Sequence, residues 1–113
     1  MAHHEGLLKT LAHCAAECEM CLDACLEEED VKMLIKCIRL DRDCAKICRT
    51  TAEIVATHSS FTAQMVKICE EVCRQCAEEC AGHNMGHCQK CAEACRECAE
   101  ACSTFSGEVS FTS

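Results

Sequence analysis

Cysteine thiols are the side chains in this sequence whose number and spacing point to chemistry, with sixteen among 113 residues. They fall at Cys14, Cys18, Cys21 and Cys25, then at Cys37, Cys44 and Cys48. A third set is Cys69, Cys73, Cys76 and Cys80, and a fourth is Cys88, Cys91, Cys95, Cys98 and Cys102. Steps of three and four recur, which place side chains along one stripe of an α-helix and, where helices meet, in the buried seam. The segments CAAECEMCLDAC and CEEVCRQCAEEC share one step order, and CQKCAEACRECAEAC extends it. Seven Cys-x-x-x-Cys pairs result, 14/18, 21/25, 44/48, 69/73, 76/80, 91/95 and 98/102, which leaves Cys37 and Cys88 over. Asp41 stands four residues after Cys37, where an eighth pair would be completed, and on the same inner stripe. A buried acid must be hydrogen-bonded or neutralised, so Asp41 is expected to be tied to its surroundings and is counted with the candidate metal ligands.

Thiols at these positions are poor core filler, because Leu, Ile and Val bury more apolar area per residue. Disulfides within the pairs are also disfavoured. They need Cβ atoms about 3.5–4.5 Å apart, whereas helical neighbours at i and i+4 stand about 5–6 Å apart. A metal ion relaxes that limit, since two sulfurs bound linearly at ~2.3 Å each sit roughly 4.5 Å apart. Soft thiolates suit Cu(I), Zn(II) and iron–sulfur clusters. The C-x₂-C runs with a following proline that mark many iron–sulfur proteins are missing. Spacing alone leaves zinc open, because C-x₂₋₄-C covers the range seen here. Charge separates the two. Four Zn(II) ions with four thiolates each would leave half of the thiolate charge uncompensated in a dry core, whereas one monovalent ion per sulfur leaves none. About one Cu(I) per cysteine is therefore the favoured loading, with metallothionein-like buffering of zinc or several metals as the alternative. Loading should release protons, because thiols ionise to bind. The empty core should remain packed, with neutral thiols acting as small apolar groups.

An enzyme is not expected. A nucleophilic cysteine needs a positioned base. His13 beside Cys14 and His87 beside Cys88 are expected to point to different helix faces from their neighbours. No phosphate loop or dinucleotide fingerprint occurs.

The elements that must hold these thiols read as helices throughout. Proline is absent, glycine occurs only at Gly6, Gly82, Gly86 and Gly107, and strong helix formers dominate. Three breaks divide the chain: Glu27–Asp30, His58–Ser60 and Gly82–Gly86. Asp30 is a candidate cap for the helix that follows, as are Ser59 and Ser60, and Gly82 suits a helix end. Helices are expected near residues 5–28, 31–57, 60–81 and 86–105, with a frayed tail over 106–113. Short connections make sequential helices antiparallel neighbours. The expected fold is all-α: one domain over 1–113, an up-down-up-down antiparallel four-helix bundle with a cysteine-lined core.

The two ends of such a bundle differ. Leu7, Leu11, Thr51, Val55, Val66 and Phe105 gather at one end, where Phe61 is expected to help close a packed plug. His13 and His58 lie there too, His58 as a turn residue. The other end holds Leu34, Cys25, Cys37, Cys80 and Cys88, ringed by Met33, His83, Met85 and His87. Imidazole and thioether both bind Cu(I). Copper is expected to come in at this mouth, with His83, Met85 and His87 capturing it before transfer to the cysteines.

A net charge of −8 disfavours nucleic acid and anionic membranes as partners. No apolar run approaches the roughly 20 residues needed to span a bilayer. Met1–Glu5 shows no basic n-region, and no apolar h-region follows, so a cytoplasmic location is the expectation. Reduced thiols belong in that compartment.

These repeated inward Cys-x-x-x-Cys pairs on four helices resemble the bacterial copper storage proteins, a family of cysteine-rich four-helix bundles, over residues 5–105. The match is closer to the cytosolic branch than to the exported one. The resemblance implies a homotetramer of bundles and Cu(I) held by bis-thiolate and bridging-thiolate sites. It also implies His and Met near an open mouth. A copper carrier is a further expected partner, and the acidic surface would suit a basic one. Asp41 and the thin cysteine content of the second helix depart from the family's pattern.

Overall fold

In the computed structural model the backbone is described over residues 2–112 and side chains over 4–106. Four helices account for nearly all of it: α1 Ala2–Leu26, α2 Ile35–Ala56, α3 Thr62–Ala81 and α4 Gly86–Thr112, with a short 3-10 turn Val31–Leu34 ahead of α2. Each helix packs on its neighbours in sequence and α1 closes the ring on α4, while the backbones of the diagonal pairs stay apart and α2 and α4 meet only through side chains in the core. The result is the expected antiparallel bundle, a rod of 49 × 20 × 20 Å. At the surface, Arg49 grips Glu19 with two hydrogen bonds of 2.6 and 2.9 Å and clips α2 to α1.

Several boundaries move from those expected. The second helix does not begin at residue 31. Residues 31–34 form a tight 3-10 turn, and Leu34 (φ −107°, ψ 5°) leaves helical geometry just before α2. That bend lets Leu34 turn inward beneath the mouth, where it is buried. Asp30 makes no side-chain capping bond. The first helix runs Ala2–Leu26 rather than 5–28, and the third starts at Thr62 rather than 60. The fourth continues helical to Thr112, past the break placed at 105, and no proline stands in 106–112 to stop it. Ser113, the last of the expected tail, lies outside the described residues.

The ends of α2 and α3 exchange expected roles. Gly82 caps α3 in right-handed geometry (φ −76°) and does not use its freedom at positive φ. The left-handed residue is His58 (φ 53°), at the end of α2. There the Ser59 N–H reaches the Ile54 carbonyl at 3.2 Å and the His58 N–H reaches the Val55 carbonyl at 3.1 Å. This is the two-bond pattern that satisfies a helix's last carbonyls. His58 thus serves as the turn residue. Neither Ser59 nor Ser60 caps α3, whose N-cap position is Phe61 with no side-chain capping bond; the Ser59 hydroxyl instead accepts the Phe61 N–H at 3.0 Å within the preceding turn.

Candidate metal centre

Each helix carries its cysteines at steps of three and four, so each turns one sulfur stripe to the bundle axis. All sixteen cysteines are free and buried. Within helices, sulfurs approach to 3.9 Å for Cys21/Cys25 and Cys69/Cys73 and to 4.0 Å for Cys44/Cys48, Cys76/Cys80 and Cys91/Cys95. Contacts between helices are as short or shorter. Cys18 lies 3.6 Å from Cys95 and 3.7 Å from Cys91, and Cys73 lies 3.7 Å from both Cys44 and Cys48. The two cysteines left over in the sequence pattern gain partners across the bundle. Cys37 meets Cys80 at 3.3 Å, and Cys88 meets Cys21 and Cys25 at 3.9 Å each. Chain spacing legibly groups the thiols two by two, whereas in space they form one continuous lattice.

Four-sulfur groups within that lattice overlap. Cys14, Cys44, Cys48 and Cys73 lie mutually within 4.8 Å, as do Cys14, Cys18, Cys44 and Cys95, then Cys18, Cys76, Cys91 and Cys95, and Cys48, Cys69, Cys73 and Cys98. A separate tetrahedral ion in each group would need several sulfurs twice. Bridging thiolates with low-coordinate ions use the overlap instead, which fits soft, monovalent Cu(I).

Asp41 sits inside the lattice with no exposure to solvent. One carboxyl oxygen accepts thiol hydrogen bonds from Cys91 (3.2 Å), Cys76 (3.3 Å) and Cys80 (3.5 Å), and the other from Cys37 (3.8 Å). Burial above all pushes its pKa up to about 8. The position that would have completed an eighth pair is therefore a hydrogen-bonded hub joining α2, α3 and α4. Burial likewise raises two of the thiols at the mouth: Cys88 is pushed up to about 11, and Cys25 is also raised. Their neighbour Cys37 is instead lowered, by hydrogen bonds from Cys21 and Cys80. In the absence of metal Asp41, Cys25 and Cys88 hold their protons at neutral pH.

At the mouth, against the expectation that His87 and Cys88 face apart, the structure brings His87 onto the sulfurs, because His87 stands in the first turn of α4 with its ring folded back over the core. Its Nδ1 lies 3.6 Å from Cys21 and from Cys88 and 3.9 Å from Cys25, which makes a three-sulfur, one-nitrogen group. His83 is placed otherwise, with its Nε2 2.9 Å from Glu79. It lines a cleft of about 520 Å³ with Met33, Leu34 and Met85. Met85 is half-buried against the core, and Met33 stands 75% exposed at the rim.

The opposite end is closed by Leu7, Leu11, Thr51, Val55, Val66 and Phe105, all buried. Phe61 does not join them, because it stands 63% exposed at the start of α3. The Phe105 and His58 rings instead each lie 5.4 Å from His4. His13 is exposed on α1.

Sequence periodicity did not reveal Glu28. Its carboxylate reaches His87 Nε2 at 3.0 Å across the mouth. An acidic run in a loop carries no signal of such a contact, because the two residues stand far apart in the chain.

The sequence model of one family, described as copper storage protein, matches residues 1–107. An uncharacterised cysteine-rich protein of Bacillus subtilis is 38% identical over 90 residues, which cover 80% of this chain and 83% of that protein. Among solved structures, the Cu(I)-bound copper storage protein BsCsp3 is 38% identical with a TM-score of 0.87, covering 90% of this chain and 96% of that one. A cytosolic copper storage protein from Streptomyces lividans, solved with five coppers, is 38% identical with a TM-score of 0.91, covering 94% and 93%. The Bacillus subtilis apo form aligns with a TM-score of 0.86 at 38% identity, covering 90% of this chain and 97% of that one.

Proposed function

The chain belongs to the copper storage protein family, and from that premise and the sulfur lattice we propose that it sequesters many Cu(I) ions within its bundle. The observation that carries this reading is the overlap of buried four-sulfur groups in the bundle core between the plug and the mouth. Each thiol that binds copper gives up its proton, and each Cu(I) cancels one thiolate charge. A core of neutral thiols thereby becomes a core of neutral copper–thiolate units, and no uncompensated charge accumulates in low dielectric. Three-coordinate Cu(I) with ~2.3 Å bonds spaces its sulfurs about 4 Å apart, close to the observed contacts; the two-coordinate form needs only modest rotamer shifts. The role is binding, not catalysis.

Copper comes in at the end that carries His87. There the imidazole Nδ1 lies against Cys21, Cys25 and Cys88, and His83 and Met85 line the adjoining cleft. At the opposite end the described residues are packed, mostly hydrocarbon, side chains. A cytosolic setting, a homo-oligomeric assembly and delivery by a copper carrier complete the proposal. Reduced thiols, the family's resemblance and the acidic surface support these in turn.

Anaerobic titration of the reduced protein with Cu(I) tests the reading. Storage gives roughly sixteen ions per chain, on the argument of one per thiolate. A break near four metals with Zn(II) preferred in competition sinks it. For the mouth, replacing His83, Met85 and His87 together by Ala slows loading and leaves capacity almost unchanged. Unaltered kinetics remove the capture role.

A further inference from the structure

We propose that Glu28 is a positioning residue for loading: it fixes the tautomer of His87, so that the bare Nδ1 lone pair faces the first three thiols. This inference rests on reading the His87 end as the loading mouth.

Neutral imidazole carries one ring proton, and the partner of one nitrogen decides what the other can do. A carboxylate only accepts hydrogen bonds. Glu28 Oε2 lies 3.0 Å from His87 Nε2, so the proton belongs on Nε2. Nδ1 is then left as an acceptor 3.6 Å from the Cys21 and Cys88 sulfurs and 3.9 Å from Cys25. With the other tautomer, Nδ1 would aim an N–H at the same three sulfurs and could not ligate Cu(I) until the ring rearranged. Carboxylate partners on the far nitrogen of metal-binding histidines are a general device for setting tautomer, ring angle and basicity.

The chain is built to hold this contact. The Glu28 N–H donates to the Cys25 carbonyl at 3.2 Å, so the carboxylate is anchored to the same turn that carries one of the three thiols. His87 is the second residue of α4, directly before Cys88. One hydrogen bond thus joins the end of α1 to the start of α4 above the sulfur trio. The exposure of the two side chains is 24% for His87 and 37% for Glu28, which leaves the clasp open to an arriving ion.

Two readouts test it, with H87A and E28A/H87A as references. Long-range ¹H–¹⁵N spectra of the metal-free protein report the His87 tautomer. Stopped-flow mixing with Cu(I) held by a coloured bicinchoninate complex reports uptake of the first equivalents. Wild type is expected to show the Nε2–H form. E28A is expected to populate the other tautomer and to take up the first equivalents about tenfold more slowly, the lower end of what losing such a partner costs. Capacity stays unchanged. E28Q, whose amide oxygen still accepts from Nε2–H, keeps the tautomer and most of the rate, and it serves as the folded control should E28A lose helix content. In the H87A background, E28A has no further effect.

An unchanged tautomer in E28A overturns the proposal, as does wild-type uptake in E28A while H87A is slow. An equal slowing by E28A with and without His87 also overturns it, since that is the mark of a clasp acting on helix ends alone. Wild-type uptake in H87A removes the loading role of this mouth itself, a failure distinguishable from that of Glu28 by the tautomer spectra.

Discussion

The two ends of this bundle use the same helices and the same inward stripes, yet they are built from different materials. At the plug, Leu7, Leu11, Val55, Val66 and Phe105 exclude water with hydrocarbon. At the mouth the stripe ends in Cys25, Cys37, Cys80 and Cys88 beneath His87, and the cap is a polar clasp from Glu28. The contrast teaches that stability and chemistry are divided along the axis. Apolar burial contributes roughly 25 cal/mol per Å² and needs no ligand, whereas thiols contribute less to the empty fold and most when metal joins them.

The largest effect follows from that division. Filling the lattice with Cu(I) should raise the thermal midpoint by about 15–30 °C if even one site sits at a thousand times its dissociation constant. Calorimetry of loaded and metal-free protein measures this, and equal midpoints would break the comparison. Next comes Leu11→Ala in the plug. It should cost the metal-free protein about 2–5 kcal/mol through cavity formation, with copper capacity unchanged. Cys73→Ser should reverse that balance, with a smaller loss in denaturant stability and a measurable loss of bound copper, because Cys73 bridges two four-sulfur groups.

A fourth prediction concerns pH. The pKa of Asp41 in the fold is about 8, above its ordinary value of 3.8. As pH rises, the unfolded chain gives up this proton first. The stability present near pH 4 is therefore lost progressively up to about pH 8. Asp41→Asn should flatten that slope in metal-free protein, as read from denaturant midpoints at several pH values; a slope that survives would place its origin elsewhere. The smallest effect belongs to Thr51, whose buried hydroxyl has no hydrogen-bond partner among the described residues. Thr51→Val should stabilise the plug by about 1 kcal/mol without touching capacity.

Much of this architecture was readable from spacing. Steps of three and four placed all sixteen cysteines on inner stripes, and the turn at Gly82–Gly86 marked the third connection. Asp41 was legible as an interrupted pair. The plug was mostly legible too, except that Phe61 faces outward while the ring of Phe105 packs against His4. Residue 61 falls just before α3, where helical phase no longer dictates direction. The bend at Leu34 was hidden for a similar reason, since burial of one side chain overrode helix propensity along the preceding turn.

Local periodicity thus determined which face each thiol would occupy, because helical phase is a property of a few consecutive residues. It also favoured Cu(I) over zinc, because charge balance depends on how many thiols share a dry interior. Three assignments lay beyond it: that Cys37 would meet Cys80, that Asp41 would join thiols of three helices, and that Glu28 would hold His87. Each joins residues remote in the chain, and their distances follow only from how four helices rotate and slide against one another when they pack.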